Sequence, residues 1–210
     1  MESNYEKQVL RARTLFLQYD QDVMIDKLRL KADAEYLYLT LLDRTYRIER
    51  KSGKVEVRKQ AGFTVCLDYQ VVMILYDILC HSKERPVLSG TWRGLSSLQI
   101  THSSPPADRF TAPFGRVFSG RIQKLDAACK ELKGKKLSTP ASADVCYQIP
   151  LFSFYPVIFQ FWDGDEEFPP KIMLLWDEHS LDFLNFETLY YVMGHLLERL
   201  KKSVVDKDFH

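Results

Sequence analysis

The sequence predicts an α+β domain in which a mostly antiparallel sheet packs against several helices. Three observations carry that expectation. Apolar residues recur at three- and four-residue spacing in the first twenty positions, then change to β-rich runs from Glu35 onward. Hairpin signals stand both early and late in the chain. Between them, Val71 to Leu79 is apolar on nearly every side, so a helix there belongs in the interior. At 210 residues, one domain is the natural reading, 1–210, and a chain of this size buries about 70% of its unfolded surface without needing disulfides or metal.

Taken in order, Tyr5, Val9, Ala12, Phe16 and Tyr19 form the apolar stripe of an N-terminal helix, with Lys7, Arg11, Thr14 and Gln18 opposite. Tyr36 to Leu42, Thr45 to Glu49 and Lys54 to Lys59 read as a meander, the last two joined through Lys51-Ser52-Gly53. Asp68 caps a helix running to His81. Residues 82–113 hold four prolines, two glycines and many hydroxyl side chains, so regular structure there is expected to be short. Phe114, Phe118, Leu125, Cys129 and Leu132 mark a helix ending at Gly134, a residue suited to a left-handed C′ position. Phe154 to Trp162 and Lys171 to Trp176 read as a hairpin around a long acidic loop. Asn185 then caps a final helix, with the tail 203–210 expected to be disordered.

Composition excludes several classes. With 46% hydrophobic and 27% charged residues the chain is ordinary globular material. The apolar run Val71 to Tyr76 is only six residues, against roughly 20 for a membrane helix. The N-terminus carries no secretory signal, so a cytoplasmic location without membrane association is expected. Cysteines 66, 80, 129 and 146 lack the paired spacing of zinc or iron–sulfur ligands, so neither is expected. The net charge of +1 argues against nucleic-acid binding. That total conceals opposed segments: 81–140 has eleven bases against four acids, and 141–200 has two bases against ten acids. Such segments most simply attract each other within the fold.

The leading site candidates lie in the acidic hairpin, because Asp163, Asp165, Glu166, Glu167 and Asp177 could converge and offer oxygen ligands to a divalent cation. A tight Asp-Gly turn with solvated acids guarding a sheet edge explains the same residues without chemistry. Trp92 and Trp162 are candidates for stacking a planar ligand, although large aromatics are more often core. Arg121 falls within the apolar stripe of Phe118, Leu125 and Cys129, where it would need a carboxylate of the acidic hairpin; alternatively Gly120 breaks the helix and turns it outward. His195 is expected on the exposed side of the last helix, and His102-Ser103-Ser104 is a weak catalytic motif. The glycines at 90, 94, 115 and 120 form neither a P-loop nor a dinucleotide fingerprint. No catalytic residue follows.

Trp162-Asp163-Gly164-Asp165-Glu166-Glu167-Phe168-Pro169-Pro170, Leu175-Trp176-Asp177, Phe186-Glu187-Thr188 and Gly194-His195-Leu196 together resemble a family of bacterial and archaeal proteins known as a domain of unknown function. Gly90-Thr91-Trp92-Arg93-Gly94-Leu95 is similar to that family's central segment, and the resemblance runs from about residue 5 to 200. It implies, for some members, fusion to an iron–sulfur domain and a tie to corrinoid or one-carbon metabolism. This chain has no cysteine-rich motif, so the resemblance implies no cluster of its own and carries over no catalytic residue. The residues therefore leave three readings: an accessory or binding domain with an aromatic-lined, polar-rimmed pocket, a metal-dependent hydrolase or transferase using the acidic hairpin, and a protein-interaction scaffold presenting the 82–113 loops. A small molecule or a protein is the expected partner.

Overall fold

The computed structural model describes residues 4–98, 107–138 and 143–206. Its elements are helices and antiparallel sheets, an α+β fold. The strands form two five-stranded sheets rather than the one sheet expected from joining the meander to the hairpin. Both edges of the late hairpin are already taken by other strands, so the meander has no edge to join there. The chain divides into two compact units, one reaching Val87 and including His179–Val192, the other Leu88–Glu178 with the chain from Met193.

In the first unit, α1 (Asn4–Gln18) and α2 (Gln21–Leu28) precede a meander of β1 (Lys31–Ala32), β2 (Tyr36–Leu41), β3 (Arg44–Glu49), β4 (Val55–Lys59) and β5 (Gly62–Val65). The sequence reading missed α2 and β5. Asp20 caps α2 by accepting from the N–H groups of Asp22 and Val23, and Arg29 ends it at φ 51°. Alternation decides the sheet's faces: Leu37, Leu39, Leu41, Tyr46 and Ile48 are buried. On the other face the Arg47 guanidinium lies over the Tyr36 and Phe63 rings, at 4.0 and 4.3 Å, and bonds Glu56 at 2.7 Å. Helix α3 (Tyr69–His81) starts at the predicted cap, Asp68 accepting from Val71 N–H, and buries seven residues. Of the predicted α1 stripe, Phe16 is buried while Tyr5 and Tyr19 are 64% and 47% exposed.

In the second unit, β6 (Trp92–Gly94), β7 (Lys135–Lys136), β8 (Val145–Phe152), β9 (Tyr155–Trp162) and β10 (Lys171–Asp177) form a sheet in the order β6-β10-β9-β8-β7. The two-residue edge strand β7 consists of exposed lysines, which suit an edge that must not pair further. The helix expected from Phe114 to Gly134 is two helices, α4 (Ala107–Phe118) and α5 (Ile122–Glu131), separated where Gly120 takes φ 70°. Helix α4 also enters the stretch expected to hold little regular structure, beside a short 3-10 turn at Leu95–Leu98. At the end of α5 the left-handed position falls to Lys133, φ 59°, not to Gly134. Gly134 is needed for space, because a Cβ there would sit 2.7 Å from Cys129 O.

Helix α6 (Phe186–Asp206) begins in the first unit and continues into the second. Residues 203–206 belong to it and Val204 is fully buried, which corrects the disordered tail at those positions. Positions 207–210 lie outside the described residues.

Candidate functional site

The site is built around the loop between β9 and β10. Asp163 leaves β9 and turns inward, where Ser119 Oγ donates to Oδ1 at 2.7 Å and the Gly120 N–H lies 2.9 Å from Oδ2. Burial pushes this carboxyl up, but the bonds from Ser119, Gly120 and Gly164 outweigh it and hold the group below its ordinary value. Gly164 passes so close to Pro170 that a Cβ would meet Pro170 Cδ at 2.7 Å. Asp165 accepts from the N–H groups of Glu167 and Phe168, an Asx turn whose donors lower its pKa. Glu166, Glu167 and Phe168 are exposed.

Helix α4 closes on the loop through a second close approach. A Cβ on Gly115 would stand 3.2 Å from Pro170 O, so glycine lets the helix seat against the loop. Between them opens a cleft of about 680 Å³ whose walls include Trp162, Phe168 and Pro170, with the cations Arg116 and Lys171 and the carboxylates Asp108 and Asp163. Asp163 is committed to the Ser119–Gly120 turn, while Asp108, Arg116 and Lys171 are exposed at the cleft's rim.

The acidic candidates do not converge. Asp177 pairs with Trp92 at the far end of β10, while Lys171 pairs with Trp162 at the near end. Six residues of strand separate the ends by about 20 Å. Asp177 is fully buried and accepts from Ser89 N–H, Ser89 Oγ and Gly90 N–H at 3.0, 3.2 and 2.7 Å, a structural anchor for that loop. Trp92 and Trp162 thus belong to opposite ends and cannot sandwich one ligand. Among the described residues no group of three or more His, Cys, Asp or Glu side chains is placed to hold a metal ion.

Arg121 sits between α4 and α5 rather than inside a helix, half-buried, with Nη1 donating to Val117 O at 2.8 Å. The loop does reach this corner, through Asp163 on Ser119 and Gly120. His195 is buried, 8% exposed, contrary to the exposed position expected. Helix α6 is covered on more of its circumference than one apolar stripe suggests, since Gly194 to Leu197 are all buried. His102, Ser103 and Ser104 lie outside the described residues.

Sequence reasoning missed Arg116 and Lys171. The available signal for Lys171 was its rarity, one of two bases among residues 141–200, directly after Pro169-Pro170. Arg116 had no comparable signal, because the α4 boundary that brings it to the loop was not legible.

No helix among the described residues is long and apolar enough to cross a membrane. No curated protein and no solved structure matches the chain. The family model described as Domain of unknown function (DUF3786) matches residues 20–199, the stretch that holds the whole β9–β10 loop and its cleft, and the chain belongs to that family.

Proposed function

We propose that this chain is a binding module, without catalysis of its own, whose second unit takes a small molecule with an apolar or planar body and an anionic group. The cleft between α4 and the β9–β10 loop carries this reading. Its volume of about 680 Å³ lies within the ordinary range of ligand sites. Trp162 and Phe168 supply aromatic surface, Arg116 and Lys171 supply positive charge, and the Asp163 carboxylate is taken up by Ser119 and Gly120. The hydrolase or transferase alternative has less support, because it needs the acidic side chains together and Asp177 stands at the other end of β10. Buried Cys129 and Cys146 thiols suit a reducing compartment, and the cytoplasm is where we place the binder.

The test uses 2-naphthalenesulfonate, which combines a planar body with an anion. Its binding is followed by the indole N–H resonance of Trp162 in ¹⁵N-labelled protein. Replacing both cations, Arg116→Met with Lys171→Met, is expected to weaken binding about tenfold, the sum of two exposed charge contacts. Unchanged affinity in a double variant that still melts cooperatively would overturn the reading. Native mass spectrometry of protein purified from cells then identifies any ligand retained.

A further inference from the structure

In the first unit α1 lies on α3, with Phe16 fully buried and its ring tilted against Tyr76 at a centroid separation of 5.8 Å. The two helices leave a groove of about 210 Å³ between them, walled by Ala12 and Leu15 of α1 and by Met73, Tyr76 and Cys80 of α3. Tyr76 commits its hydroxyl to Gly53 O, so its ring is what it offers the groove. Burial pushes the Cys80 thiol up to about 12, which keeps that wall neutral. Leu15 stays 38% exposed, apolar surface left in water at the groove's edge. A cavity of roughly 150 Å³ lined by apolar side chains holds benzene, so this groove has room for a somewhat larger group, about eight carbon atoms.

Three polar side chains complete the lining: Gln8, Arg11 and Asp77. Asp77 is already satisfied, its Oδ2 accepting from Asn185 N–H at 2.8 Å and its Oδ1 from the Asn185 side-chain amide at 2.6 Å. Gln8 gives its carbonyl oxygen to the Tyr69 hydroxyl, which leaves its NH₂ group as a donor. Arg11 stands one turn on from Gln8, on the same side of α1, exposed and with no ion pair among the described residues. The mouth of the groove therefore offers an unpaired cation and an amide donor above apolar walls. An anion held at such a mouth keeps much of its hydration and escapes the desolvation cost of a buried charge, while only its chain leaves water.

We infer that the groove between α1 and α3 is a ligand site for a free medium-chain carboxylate, whose chain lies against Ala12, Met73, Tyr76 and Cys80 and whose carboxylate meets Arg11. This site shares no residue with the cleft of the second unit and does not rest on it.

The probe is octanoate, followed by the methyl resonances of the five methionines in protein labelled with ¹³C at those methyls, with Met73→Leu assigning Met73. Octanoate is expected to move the Met73 resonance and to bind about tenfold more tightly than butanoate, because its four extra methylenes leave water in part. It should bind about threefold more tightly than 1-octanol, the increment of one exposed charge contact. Arg11→Gln should abolish the preference over octanol and keep the preference for the longer chain. Octanoate should also slow iodoacetamide alkylation of Cys80 but not of Cys66, which does not line the groove. Ala12→Leu fills the groove and should remove binding; if that variant does not fold, Arg11→Gln, at an exposed position, carries the test. Octanol binding as tightly as octanoate, or a Met73 resonance that does not move, overturns the inference. Shifts confined to Met173 and Met193, which line a cavity of the second unit, place octanoate there instead; they overturn the inference and leave the cleft reading standing. Octanoate binding at Met73 should persist in the Arg116→Met, Lys171→Met double variant, so the two readings fail separately.

Discussion

The Asp163 carboxylate straddles the backbone N–H of Gly120, with Oδ1 at 3.1 Å and Oδ2 at 2.9 Å, and so fastens the acidic loop to the break between α4 and α5. Gly120 reaches that position because φ 70° ends the helix there and frees its N–H. Asp163→Ala is expected to cost about 1–3 kcal/mol in urea denaturation, because the Gly120 and Gly164 donors lose a charged acceptor. The folded pKa lies below the ordinary 3.8, so this contribution is present above that value and is lost as pH falls through the folded one. The stability gap between the unaltered protein and Asp163→Asn should therefore narrow from about pH 6 to about pH 2. A gap that stays constant would show that the carboxylate's charge contributes nothing.

Asp177 performs the same task at the other end of β10 with less solvent. Its oxygens accept from two backbone N–H groups and the Ser89 hydroxyl, and the residue is fully buried. Asp177→Ala strands those donors, and a loss of about 3 kcal/mol is expected in chemical denaturation. Ser89→Ala removes one donor and leaves both backbone bonds, so its cost should stay near about 1 kcal/mol. Equal effects of the two variants would contradict the assignment of Asp177 as the anchor.

These two aspartates show where sequence reading succeeds and where it stops. The hairpin around the acidic loop was legible because strand alternation and Asp-Gly turn chemistry are local. The cap of α3 was legible for the same reason, since Asp68 and Val71 are three residues apart. Asp163 and Asp177 looked alike as acids near a hairpin, yet their partners lie 43 and 87 positions away along the chain. Strand register, which the residues do not announce, puts them at opposite ends. The break at Gly120 was only an alternative, because one glycine weakens a helix without always ending it. Lys171 and Arg116 became neighbours only once β10 and α4 were placed.

The thiols offer a separate check on the packing. Cys129 and Cys146 are buried, and burial raises both above the ordinary thiol value. Cys80 is half-buried and pushed up to about 12, first by burial, with Asp77 adding to it and Lys27 opposing. Because the thiolate is the reacting species, iodoacetamide at about pH 8 should alkylate the native protein slowly and favour the half-buried Cys66 and Cys80. Cys129 and Cys146 should label only after unfolding, read by peptide mass spectrometry. Rapid native labelling of Cys129 would mean that α5 opens far more readily than its packing implies.

The sharpest test of the second unit's interior concerns Asp126 and Tyr147. Tyr147, on β8, exposes none of its surface, and its hydroxyl donates to Asp126 Oδ1 on α5 at 2.7 Å. Lys136 Nζ meets the same oxygen at 2.8 Å, and Lys130 Nζ meets Oδ2 at 2.7 Å. Bonds from Lys130 and then Lys136 hold the Asp126 carboxyl well below its usual range, while burial and then Asp126 push the Tyr147 hydroxyl up. The lysines are 64% and 61% exposed, so Lys130→Ala and Lys136→Ala should each cost about 0.5–1 kcal/mol or less. Asp126→Ala is different in kind, because it leaves the Tyr147 hydroxyl buried without an acceptor, and about 2–3 kcal/mol is expected. Tyr147→Phe removes the donor itself and should cost about 1 kcal/mol. In the Asp126→Ala background the same Tyr147→Phe change should cost nothing or restore stability, since the stranded hydroxyl is what the first variant left behind. Additive losses across that double-mutant cycle would show that the two side chains do not share a bond, and that the tie from α5 to β8 rests on apolar packing alone.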